Sequence, residues 1–146
     1  MPVVLQGVLN LGGLSENQNP GSILVQTMDD EYAIMKTHVT RGAEILKDFT
    51  MIDHVSEGAR YHHERWDGRG YPEGRVGTMI PLEARIMAVA DVYDALVSKL
   101  VYKEPMSFEE AREIMVEGMG TQFDPNMKSV FLGCREQLED YYRRHA

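Results

Sequence analysis

The sequence predicts an all-α domain, and three observations carry that reading. Apolar residues recur at helical spacing along most of the chain, while alternating stretches of the strand type are few. Helix start signals precede the periodic segments: the pair Asp29-Asp30, the proline Pro81, and a capping box from Ser107 to Glu110. Between them, residues 67–77 contain four glycines and Pro72, a composition suited to a loop that can approach a ligand closely.

Taken in order, residues 1–14 read as one short helix interrupted at Gly12-Gly13, and 15–21 as a polar loop rich in Asn, Pro and Gly. Asp29 and Asp30 are expected to open a helix running to about Asp48, with Met35, His38, Val39, Gly42 and Leu46 on its inward stripe. A second helix is expected over 51–63, where Ile52, Val55, Ala59 and His62 share a face and His63 lies about 100° round from His62. Pro81 suits the first turn of a long helix ending near Lys99, because its missing N–H costs nothing there. Ser107 starts a helix to about Gly118, and a last one is expected from Phe123 through Tyr142.

The chain has 146 residues, 43% of them hydrophobic, which is enough for one domain with a sizeable core. Its formal charge of -8 argues against coating duplex nucleic acid, although a local cluster of donors or metal ions can still attract a small phosphorylated ligand. A single cysteine, Cys134, allows no intrachain disulfide and suits the reducing cytoplasm. The apolar segment 3–11 is too short to span a membrane and lacks a basic leader.

Four side chains are of metal-ligand type on inward faces: His38, His62, His63 and Asp91. A lone inward histidine such as His38 reads equally as a hydrogen-bonded core residue. Adjacent histidines at a helix end, followed by a glycine loop, shift the balance toward ligation. Asp91 interrupts the apolar run 86–90, and a buried carboxylate without a partner costs several kcal/mol, so something positive should meet it. That partner is either an ion, for which Ala84, Ala88 and Ala95 would leave room, or Arg85 or Lys36. Asp94 and Asp67 are candidates for carboxylates that orient a ligating histidine. Imidazole nitrogens with one carboxylate suit iron or manganese, with zinc as the other option. His54 and His145 read as solvated.

The run His62-His63-Glu64, Asp67-Gly68, Gly70-Tyr71-Pro72 resembles the signature of the HD-GYP proteins, bacterial metal-dependent phosphodiesterases of cyclic di-GMP and related cyclic dinucleotides. Residues 35–38, 80–86, 90–96 and 120–125 extend the resemblance, which covers about 29–132. It implies an HD-domain-like helical bundle with a glycine-rich loop and incomplete first helices. It further implies His38, His62, His63 and Asp91 as metal ligands, Gly70 and Tyr71 along the substrate, and Lys103 on a phosphate. Tyr71 reads equally as a loop anchor.

Upstream the resemblance thins. Residues 1–28 read as a divergent remnant of the segment that carries the family's His-Asp dyad, and 29–146 as the core. Gly12 and Gly13 stand where the dyad is expected, Glu16 replaces a lysine, and Leu100 replaces an arginine expected near phosphate. No His-Asp pair occurs anywhere before His38. The expectation is therefore one ion or none, impaired catalysis, and a nucleotide- or metal-binding or regulatory role involving a protein partner; the alternative is an active metal-dependent cyclic dinucleotide phosphodiesterase completed by a partner chain or a missing N-terminal segment.

Overall fold

The computed structural model describes residues 22–48, 50–101 and 103–146, with side chains described from 29 onward. The readings of 1–21, including Gly12, Gly13 and Glu16, lie outside the described residues. Among the described residues six α-helices follow one another: α1 (Ser22–Leu46), α2 (Val55–Tyr61), α3 (Leu82–Val97), α4 (Phe108–Glu117), α5 (Met127–Gly133) and α6 (Arg135–His145). Among the described residues extended pairing is limited to isolated bridges, so the fold is all-α as expected. No described helix is long and apolar enough to cross a membrane.

Neighbouring helices pack in sequence, α1 on α2, α2 on α3 and α3 on α4. The main core joins Val92, Tyr93, Leu96 and Val97 of α3 to Ala111 and Met115 of α4, with Phe123 and Phe131 closing it from the C-terminal side. Leu96 and Met115 are fully enclosed, which follows from their place on the facing stripes of two amphipathic helices. A smaller cluster of Tyr61, Ile80 and Ala84 sits under the glycine loop.

The expected capping box is present: Ser107 Oγ accepts from Glu110 N at 3.2 Å, and the Glu110 carboxylate accepts from Ser107 N at 3.1 Å. Pro81 stands at the N-cap of α3, one residue ahead of its expected place.

Three boundaries differ. The first helix begins at Ser22 rather than Asp29, because residues 22–28 contain no Gly or Pro to stop it, and the boundary drawn between 28 and 29 falls inside it. The second is shorter than 51–63: His54 has a left-handed backbone (φ 59°), so the helix starts only at Val55. The last helix is two, parted at Cys134 (ψ 0°) directly after Gly133. Glycine lowers helix stability by roughly 1 kcal/mol at that point.

Candidate metal centre

α1 carries His38 and the end of α2 carries His62 and His63, so packing α1 against α2 brings the three rings together. Ligand atoms from all three lie within 4.8 Å of one another. Ring centroids are 5.0 Å apart for His38 and His63, and 4.3 Å apart for His62 and His63.

Two of the rings are oriented by the backbone. His38 Nδ1 lies 2.7 Å from the carbonyl of Met35, and His62 Nδ1 lies 2.8 Å from that of Ala59. A carbonyl can only accept, so both Nδ1 atoms carry a proton, and the neutral form of each ring has its lone pair on Nε2. His38 Nε2 and His63 Nε2 are buried without a hydrogen-bond partner. Sequence reasoning assigned the orienting role to Asp94 and Asp67, and the carbonyls three residues upstream take it instead.

Asp94 accepts from Ser98 Oγ at 3.0 Å and from Tyr142 OH at 2.9 Å, facing α6 rather than a histidine. Asp67 is gripped by Arg65 through Nε (3.1 Å) and Nη2 (2.8 Å) and caps Arg69 N at 3.0 Å, which makes it a brace of the loop. Ala84 and Ala95 are buried and Ala88 packs on the core, so the alanine stripe lies in the packed face of α3.

Asp91 stands at the edge of the histidine group, its Oδ2 3.9 Å from His63 Nε2. Neither of its expected protein cations reaches it: Arg85 instead pairs with Asp124 at 2.7 Å, and Lys36 forms no ion pair among the described residues. Burial raises the Asp91 carboxyl above the ordinary aspartate range. Burial, then the neighbouring His62 and His38, pushes His63 down to about 3, and burial also lowers His62. Both shifts favour His62 and His63 as neutral lone-pair donors.

Those shifts carry a pH consequence for metal-free protein. Between its ordinary value and about 3, His63 takes up a proton in the unfolded chain but not in the folded one, so stability falls as pH drops through that window. The slope from His63 alone approaches about 1.4 kcal/mol per pH unit. His62 acts in the same sense. Asp91 acts in the opposite sense, because its raised value contributes stability at low pH that is lost as pH rises through the folded value. Urea titration of chelator-treated protein at pH 7 and pH 5 should show the lower stability at pH 5.

The glycine loop closes over the histidines and is fastened at several points. Glu64 was not singled out from the sequence, yet it is 3% exposed and its carboxylate accepts from Glu73 N (2.7 Å) and Arg75 N (2.9 Å). A carboxylate embedded between two ring-bearing ligands and the loop was the available signal. The loop's far side hangs on the α4–α5 connection through Asp67 N to Thr121 O, 2.8 Å, and Trp66 N to Gln122 O, 3.2 Å. Tyr71 N donates to His63 O at 3.2 Å, and the Tyr71 ring stacks on His63 at 5.1 Å with 11° between planes. At Gly70 a Cβ would collide with backbone atoms of His63, Glu64 and Arg65, so close packing of the loop already demands glycine there. Lys103 lies in the turn after α3 and lines a separate hollow of about 450 Å³ with Lys99, Leu100, Val101 and Glu104.

Residues 13–127 match the family model for the HD domain. The chain belongs to the HD domain family. Its fold is that of an HD-domain helical bundle, and its 62–72 run is the HD-GYP signature. A Vibrio cholerae protein named "Probable cyclic di-GMP phosphodiesterase" is 47% identical over 125 residues, covering 80% of this chain and 28% of that protein. The cyclic di-GMP phosphodiesterase response regulator RpfG of Xanthomonas campestris is 43% identical over 126 residues, covering 82% of this chain and 33% of that one. The crystal structure of a cyclic GMP-AMP-specific phosphodiesterase of V. cholerae aligns with a TM-score of 0.59 at 27% identity, over 96% of this chain and 33% of that one. This HD domain thus spans 28% and 33% of the length of the two curated relatives named.

Proposed function

We propose that this HD domain holds one divalent transition metal on His38, His62 and His63 with Asp91 as an oxygen donor, binds cyclic di-GMP, and acts as a regulatory module with impaired hydrolysis. The observation that carries the metal is the pair of buried, partnerless Nε2 atoms on His38 and His63 beside a third ring. Unsatisfied buried acceptors cost about 1–3 kcal/mol each, and a cation satisfies them together. Iron or manganese, or zinc, fits a donor set of imidazoles and one carboxylate. Such an ion would supply Lewis acidity toward a phosphoryl oxygen.

The chain's own residues do the rest. Met35 O and Ala59 O hold His38 and His62 in the tautomer that presents Nε2. Tyr71, anchored on His63, offers a ring and a hydroxyl at the edge of the site, and Glu64 keeps the loop in place. The cyclic dinucleotide rests on the relatives' names together with the HD-GYP run. Impairment rests on the missing His-Asp pair, with Gly12 and Gly13 at its expected positions and Leu100 in place of an arginine. A regulatory role implies a protein partner, and the single cysteine supports a cytoplasmic setting.

A second reading, an active phosphodiesterase, draws on the 47% identity to a relative with that name. Turnover separates the two. The pure manganese-loaded chain should bind cyclic di-GMP without converting it, and conversion that disappears in His63→Ala would establish the active reading instead. Asp91→Asn tests the oxygen donor: removing a desolvated charge should raise the melting temperature of metal-free protein while weakening manganese binding about tenfold or more. Equal manganese affinity in the two proteins would remove Asp91 from the site.

A further inference from the structure

A phosphodiester entering this site meets a difficult field. The chain carries a net charge of -8, and Asp91 stands on the wall, 3.9 Å from His63. Beside the proposed metal ion, a side-chain cation would help hold the phosphate, and most of those nearby are taken. Arg65 is held by Asp67 (2.8 Å), Arg75 by Glu73 (2.8 Å) and Arg85 by Asp124 (2.7 Å). Lys103 lines its own hollow, and Arg69 is exposed with no aromatic contact among the described residues.

Lys36 differs from all of these. Its Nζ lies 4.2 Å from the centroid of the Tyr32 ring, one turn earlier on α1, and 5.8 Å from that of Tyr71. Tyr71 is the ring stacked on His63, so the ammonium sits on the same wall as the histidines. Two aromatic faces hold a cation in place by their quadrupoles without neutralising it, whereas a carboxylate would cancel its charge. The three ammonium donors remain available to an anion.

We propose that Lys36, cradled by Tyr32 and Tyr71, binds a substrate phosphate at this site, an assignment that rests on the cyclic dinucleotide reading above. In the sequence Tyr32 and Lys36 stand four residues apart on one helix face. It is the return of Tyr71 from the loop that turns the pair toward the histidines.

The test is titration of cyclic di-GMP into the manganese-loaded chain, read as Kd, or as KM where turnover occurs. Lys36→Met should weaken binding about tenfold to hundredfold, the range for a charge-assisted hydrogen bond. It should lower the slope of log Kd against log salt by about one, and leave manganese affinity unchanged. Lys36→Arg should stay within about threefold of the parent, and Arg69→Met should match it. Equal binding by parent and Lys36→Met overturns the assignment alone. Weaker binding with an unchanged salt slope also overturns it, since Lys36 would then only position Tyr71. A parent chain that binds manganese but not cyclic di-GMP overturns the nucleotide reading itself, and the assignment with it.

Discussion

His63→Ala should abolish tight manganese binding, weakening it by more than the roughly 10- to 100-fold that loss of an outer partner costs at a metal site. His63 sits at the centre of the arrangement: it neighbours both other rings, its Nε2 is buried and partnerless, and it is 3.9 Å from Asp91. Removing it leaves two imidazoles, on α1 and at the end of α2, and Asp91, without the ring that neighbours all three. His54→Ala is the matching control, because His54 is exposed and pairs only with Glu57 at 3.1 Å. Calorimetric titration of manganese into chelator-treated parent, His63→Ala and His54→Ala checks this, with circular dichroism establishing that the helices persist. Loss of affinity in His54→Ala, or none in His63→Ala, would go against the assignment.

The second large effect lies away from the histidines. Arg85→Ala should destabilise the fold by about 3–5 kcal/mol, the cost of leaving a buried carboxylate without its cation. For a domain of this size that lowers the melting temperature by roughly 10 °C or more. Asp124 is 2% exposed and receives Arg85 Nη1 at 2.7 Å, while Arg85 Nε donates to Ile80 O at 2.9 Å. One guanidinium therefore ties α3, the end of the glycine loop and the segment before α5. In the double variant Arg85→Met, Asp124→Leu no charge is left unpaired, and much of the stability should return. Thermal melts of the three proteins check both statements. A double variant no more stable than Arg85→Ala would mean that packing around these side chains, rather than the buried charge, sets the loss.

What was legible in the sequence shared one property: it depended on residues near one another along the chain. The capping box at Ser107 and Glu110, the loop with its four glycines, and the inward stripe of α1 are local patterns with local causes. His62 and His63 were legible because they are adjacent, and His38 because helical periodicity turns it inward.

The readings that changed were decided by distant partners. Arg85 was a candidate partner for Asp91, six residues on, and it meets Asp124, 39 residues on. Asp94 was read toward the histidines and turns to Tyr142, 48 residues away. The alanines around Asp91 were read as space for an ion, and Ala84 and Ala88 pack into the two core clusters. The orienting carbonyls of Met35 and Ala59 were hidden for another reason, since backbone acceptors leave no mark on the pattern of residue types.

The central claim is that the three histidines form a site for one metal ion. Its most direct test is the metal content of the freshly purified chain, followed by manganese titration of chelator-treated protein with the melting temperature read in parallel. The account predicts one equivalent of iron, manganese or zinc per chain. It also predicts that manganese at a hundredfold excess over Kd restores about 2.7 kcal/mol of stability to the metal-free form. Two equivalents per chain would contradict the single-ion arrangement. No metal, with a melting temperature unmoved by chelator or manganese, would contradict the site itself.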